Sequence, residues 1–125
     1  MKTDFVEIFQ TIRASLQPYA ANGFTARKNS DTAYELWSEK NVEIEGKIRA
    51  EVYFAGVEIL KDYVAFYFMT EEDEQEIKTI SQSSLLELLE EKSCFHIEKL
   101  DDILLEQITD ILAKGFTIYK QKGWV

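Results

Sequence analysis

One cysteine, one histidine, one proline and five glycines are spread over 125 residues. A lone Cys94 closes no disulfide within the chain, which points to a reducing setting. It also leaves a structural zinc site short, since such sites take four Cys or His ligands. So little Pro and Gly excludes a Pro-rich linker or a low-complexity disordered chain. Long hydrophobic runs are missing too. The longest uncharged apolar stretch, Tyr63 to Met69, falls far below the roughly 20 residues that span a bilayer. The opening M-K-T-D-F-V-E-I-F-Q is interrupted by Asp4 and Glu7, so no signal-peptide core is visible. The expected location is the cytoplasm.

What the chain has is acid. Its net charge is −9. Residues 1–70 carry net −2, residues 71–110 carry net −10, and residues 111–125 carry net +3. Nucleic-acid binding needs clustered Lys and Arg to displace counterions, so no nucleic acid is expected as partner. An anionic membrane surface is disfavoured for the same reason. Cations and basic proteins fit the charge. The chain is 46% hydrophobic, enough for one compact domain spanning 1–125.

Phe5, Val6, Ile8, Phe9, Ile12 and Leu16 recur mostly at steps of three and four. That predicts an amphipathic helix over 5–17, capped by Asp4 and ended by Pro18. Asn22-Gly23 is a break, and 32–38 and 42–45 read as strands. The segment 49–69 is rich in β-branched and aromatic residues and interrupted by Lys61-Asp62, so it reads as a hairpin with a two-residue loop. Opposed residues then sum to 123. Ala55, Val57 and Ile59 face Phe68, Phe66 and Val64 on an apolar core side. The second side pairs Phe54 with Met69, Gly56 with Tyr67, Glu58 with Ala65 and Leu60 with Tyr63. Gly56 leaves room there for the Tyr67 ring.

Residues 70–91 read as helical, with Thr70/Asp73 and Ser84/Glu87 as capping boxes and Leu85, Leu86, Leu88 and Leu89 as an apolar side. Cys94 to Ile97 reads as a short strand. Asp101 or Asp102 starts the last helix, along which Leu104, Ile108, Ile111, Leu112 and Tyr119 keep helical spacing. Lys114, Lys120 and Lys122 lie near its C-terminal end, where the helix dipole favours them. The expected fold class is α+β: an N-terminal helix, an antiparallel sheet of about four to five strands with a central hairpin 49–69, then helices and a long C-terminal helix packed on the sheet.

Four groups of residues can carry chemistry. Cys94 and His96 stand two apart and share one strand face, joined by Glu98 if the strand continues. They read as a metal-binding or activated-thiol pair, or as a packed small residue beside an edge histidine. The run E-E-D-E-Q-E holds Glu71, Glu72, Asp73, Glu74 and Glu76. It reads as a hard-cation site, iron included, or as solvated acids at a helix start. Glu43, Glu45, Glu51 and Glu58 supply carboxylates for a glycosidase pair, or simply face water. Phe54, Tyr63, Tyr67 and Met69 line the second hairpin face as a pocket, a homodimer interface or the seat of a covering helix. No phosphate-binding glycine loop, serine triad signature or nucleotide fingerprint is present.

The segments Y-F-A-G-V (53–57), Y-V-A-F-Y-F-M (63–69), K-S-C-F-H-I (92–97), L-D-D-I-L-L-E-Q-I (100–108) and the terminal G-W-V together resemble small bacterial proteins of the YdhG-like domain-of-unknown-function family, over about residues 34–125. The resemblance implies an α+β fold, a small cytoplasmic protein and no assigned enzyme activity. One branch of that family is described as a frataxin-like iron chaperone serving iron–sulfur or haem assembly. This chain lacks that branch's Trp, Pro and His around the hairpin and looks like the sister branch marked by K-S-C-F-H-I and G-W-V. It carries T-E-E-D-E-Q-E where that sister branch often has a proline-containing loop.

The sequence thus favours a non-enzymatic module that binds a small molecule or a protein, with a homodimer through the second face as one form of partner. Phe54, Tyr63, Tyr67, Met69, Cys94 and His96 are the expected binding residues, and no cofactor is expected. The first alternative is an iron-binding chaperone using Glu71, Glu72, Asp73, Glu74 and Glu76, with Glu87, Glu90 and Glu91 nearby. The second is a thiol-dependent enzyme on Cys94.

Overall fold

The hairpin about Lys61-Asp62 forms in the expected register. The computed structural model describes residues 2–44, 46–69, 73–91 and 93–125. In it Ala55, Gly56, Val57, Glu58 and Ile59 pair with Phe68, Tyr67, Phe66, Ala65 and Val64. The loop is closed by Leu60 N–H donating to the Tyr63 carbonyl at 2.9 Å. The fold is α+β. Helix α1 (Phe5–Ala20) leads into β1 (Thr25–Arg27), β2 (Ala33–Ser38), β3 (Val42–Ile44), β4 (Lys47–Arg49), β5 (Val52–Ile59) and β6 (Val64–Phe68). Then come α2 (Glu74–Ile80), α3 (Ser83–Leu86), β7 (Leu89–Glu91), β8 (Cys94–Ile97) and α4 (Asp102–Gln121). Six antiparallel strands make one sheet in the order β1-β2-β5-β6-β8-β7, and β3 and β4 form a separate two-stranded ribbon. The six strands exceed the expected four to five because the short edge strands β1 and β7 carry little periodic signal.

Helix α1 buries the stripe Ile8, Phe9, Ile12 and Leu16 that its spacing predicts. Asp4 caps it, accepting from the Val6 N–H at 2.8 Å. Pro18 lies inside the last turn rather than after it. Helix α4 starts at the Asp101 cap, which accepts from the Leu104 N–H at 2.8 Å. Its end explains the terminal G-W-V. Gly123 has φ +74, its N–H donates to the Lys120 carbonyl, and the Trp124 N–H donates to the Tyr119 carbonyl at 2.8 Å. That is a Schellman close, and the Trp124 ring meets Tyr119 edge-on at 5.0 Å, the apolar contact such closes favour. The Ser38 hydroxyl donates to the Trp124 carbonyl, tying the chain's last turn to β2.

The reading of 70–91 as helical throughout is corrected. The described part holds two short helices and then a strand. The Thr70/Asp73 box falls partly outside the described residues, and Asp73 makes no side-chain cap. Ser84 sits inside α3 instead of capping it. Leu85 is fully buried, while Leu89 leaves the helix to pair with Phe95 in β7. Packing against β8 overrides the local helix preference of the leucines.

A bulge in β5 sets which residues share each face of the sheet. Between β2 and β5 the register shifts: Leu36 opposes Ala55, but Trp37 opposes Tyr53, so Phe54 is an extra residue on β5. Such a bulge breaks the alternation of faces. Phe54 therefore turns to the core, fully buried, stacked on Phe24 at 4.2 Å and meeting Phe68 and Tyr119 edge-on. Tyr53 takes the opposite face, where its ring meets Trp37 at 5.1 Å. Helices α1 and α4 cover the core face, with Gly115 of α4 set close on the rings of Phe68 and Phe54.

Candidate functional site

The other face of the sheet lies opposite the core that α1 and α4 share. By strand parity and register it presents Arg27 of β1, Glu35 and Trp37 of β2, Tyr53, Gly56 and Glu58 of β5, Ala65 and Tyr67 of β6, and Cys94 and His96 of β8. Lys28, Glu35, Tyr53, Glu58, Tyr67, Met69 and Ser93 line an open cleft of about 310 Å³ on it.

Glu35 is held from two sides. It accepts from the Trp37 indole N–H at 3.1 Å, and the Lys28 ammonium lies 3.7 Å away. Glu58 accepts a long hydrogen bond, 3.4 Å, from the Tyr67 hydroxyl. The Tyr53 hydroxyl lies over Gly56, where any Cβ would collide with it. That oxygen is sealed from solvent and has no hydrogen-bond partner among the described residues. Burial pushes the Tyr53 phenol well above its usual range, and the negative charges of Glu35 and Glu58 add to the effect. Tyr67 is raised as well, first by burial, then by Cys94 and Glu58. Both phenols stay protonated at neutral pH and can donate or accept a hydrogen bond.

Two non-glycine residues among those described have positive φ: Lys28 at +49° and Met69 at +59°. Both line this cleft. Such backbone is costly for a side chain with a Cβ, and it persists where surrounding structure holds it. Met69 is fixed by its N–H donating to the Phe54 carbonyl at 2.6 Å, the pairing the sequence predicts. At one end of the face Arg27 bonds Glu39 at 2.6 Å and Glu51 at 2.5 Å, with its guanidinium 4.8 Å over the Trp37 ring. This network anchors the β1 edge.

Of the expected binding residues, Tyr67 and Met69 line the cleft. Cys94 opposes Tyr67 in register and is buried, 3% exposed. His96 opposes Ala65, and its ring stacks on Tyr63 at 3.7 Å and 13°. Phe54 is the residue removed from this face by the bulge. Glu98 lies past the end of β8 and is exposed, so it does not extend the Cys94–His96 row. The strand carboxylates do not gather. Glu43 is exposed on β3, Glu45 lies outside the described residues, Glu51 binds Arg27, and only Glu58 reaches the cleft.

Glu71 and Glu72 also lie outside the described residues. Asp73 precedes α2, Glu74 pairs with Lys78 at 3.7 Å, and Glu76 pairs with Lys122 at 3.6 Å. Glu87 ends α3, and Glu90 and Glu91 belong to β7. Among the described residues, no three His, Cys, Asp or Glu side chains gather as a metal site. No described helix is long and apolar enough to cross a membrane.

Tyr53, Glu35, Lys28 and Ser93 are the lining residues that periodicity misses. A one-residue bulge reassigns Tyr53, and Glu35 becomes informative only once β2 is known to neighbour β5. No family model, curated protein or solved structure matches this chain.

Proposed function

We propose that the protein is a non-catalytic binding module whose small-molecule ligand seats in the cleft between Glu35, Tyr53, Glu58, Tyr67 and Met69. The observation that carries this reading is the sealed Tyr53 hydroxyl with no partner at the cleft floor. A buried polar group left unpaired costs about 1–3 kcal/mol, so native proteins rarely keep one without use. A ligand that parts the side chains sealing it would supply the missing partner. The two positive-φ residues at the rim support the same reading, because strained backbone collects at binding sites. The cleft itself opens to solvent.

Chemistry on the chain's own nucleophile has less support. Cys94 is 3% exposed, and a buried thiol is a poor nucleophile. The test is a fragment screen read by amide chemical shifts. Binding is expected to move the amides of Tyr53, Gly56, Glu58 and Tyr67 together and saturably. Hits that cluster elsewhere, or a second copy of the chain occupying the face at working concentration, would sink the small-molecule reading.

A further inference from the structure

We infer that the ligand of this cleft is a small organic cation, an alkylammonium or a relative of it, held by Glu58 and Glu35 against the rings of Tyr53 and Tyr67. The inference rests on the binding reading above and adds the chemical class.

The lining sets two carboxylates against one ammonium, that of Lys28. Lys28 is largely exposed and lies near Glu35, so it offsets one carboxylate and leaves the other. Among the described residues Glu58 has one hydrogen-bond partner, the Tyr67 hydroxyl at the long distance of 3.4 Å. A carboxylate offers about four acceptor sites, so Glu58 keeps capacity for a charged N–H donor. The Tyr53 oxygen becomes a further acceptor once the ligand parts the side chains that seal it. An ammonium presents three donors and no acceptor, which matches a wall of acceptors.

The rest of the cleft selects the body of the ligand. Tyrosine rings attract cations through their faces. Met69 is buried in the core at 1% exposure, so a short alkyl chain would rest on the Tyr53 and Tyr67 rings. An anion would meet two carboxylates. A bare hard metal ion wants more carboxylate oxygen than two side chains give, and no larger acidic group gathers among the described residues. The net charge of −9 draws cations toward the protein. A cleft of about 310 Å³ lies at the small end of ligand sites.

The test is a titration of the whole chain, followed by amide chemical shifts at constant ionic strength, with n-butylammonium, n-butanol and butyrate. Butylammonium is expected to saturate the Tyr53, Gly56, Glu58 and Tyr67 amides in the millimolar range, on the order of what so small a ligand allows. Glu58→Gln should weaken it about tenfold or more, and Tyr53→Phe several-fold. Glu43→Gln, on the exposed ribbon, should change nothing. Butanol or butyrate moving these amides as readily as butylammonium overturns the cation class while the cleft stays a binding site. Butylammonium affinity unchanged in Glu58→Gln overturns it too. Silence of all three probes at the cleft counts against both readings.

Discussion

The Tyr53 hydroxyl occupies the space over Gly56 that a side chain would fill. An added Cβ would also sit 2.9 Å from the Tyr34 carbonyl oxygen and 3.3 Å from Glu35 Cγ. Backbone cannot yield as a side-chain end can. Gly56→Ala is therefore expected to cost about 1–3 kcal/mol, read as a lower urea midpoint. Combining it with Tyr53→Phe should recover part of that loss, because one of the colliding atoms is gone. Full stability of Gly56→Ala alone would show the contact to be soft.

Two tyrosines should answer the same substitution with opposite signs. Tyr53→Phe removes a sealed hydroxyl that has no partner among the described residues, so stability should hold or rise by up to about 1 kcal/mol. Tyr119→Phe removes a hydroxyl that donates to the Tyr53 carbonyl and should cost about 1–2 kcal/mol. Thermal melts of the pair decide it. A Tyr53→Phe variant clearly weaker than wild type would mean that the hydroxyl already has a partner.

Phe54 distinguishes the bulged strand from a regular one. Fully buried and stacked on Phe24, it should cost about 3–5 kcal/mol as Phe54→Ala. In a strand without the bulge it would lie on the open face, where the loss would stay below about 1 kcal/mol. Denaturant unfolding separates the two cases.

Alkali should unfold the protein through its phenols. Tyr53, Tyr67 and Tyr119 are raised above the usual phenol range, chiefly by burial. Unfolded tyrosines ionise near pH 10. The folded state then holds protons that the unfolded state releases, so stability is full below about pH 10 and falls as pH rises toward the folded values. Ultraviolet absorbance should show these phenols lagging behind the rest and then ionising together as the chain unfolds. A single smooth titration near pH 10 without loss of structure would contradict the burial.

Cys94 should react slowly. With its side chain 3% exposed, reagent must wait for the sheet to open. A disulfide reagent is expected to label the native protein on the order of a hundredfold or more slower than the urea-unfolded chain. Comparable rates would place the thiol on an accessible surface and revive the thiol-enzyme reading.

The hairpin register was legible because a two-residue loop fixes which residues oppose, and the apolar face confirms the choice. The two long helices were legible from spacing and caps, with Asp4 and Asp101 both in place. The bulge was not, since it arises where β2 meets β5, and nothing local to V-Y-F-A marks it. The same non-local pairing moved Leu89 into a strand. Only part of the site was therefore visible: Glu58, Tyr67 and Met69 follow from the hairpin alone. Tyr53 needs the bulge, and Glu35 and Lys28 need the neighbouring strand.

The extra residue at Phe54 makes β5 a strand of two phases. Val52 and Phe54 point to the core on even numbers, then Ala55 and Val57 on odd ones. Insertions and deletions in this strand thus obey a parity rule. Losing one residue at the bulge would restore strict alternation and leave each half on its present face, Tyr53 outward and Val57 inward. Losing two would leave the halves out of step by one residue, so the strand would still need a bulge to hold both faces. A relative of this chain can therefore drop the odd residue and still keep both faces of the strand.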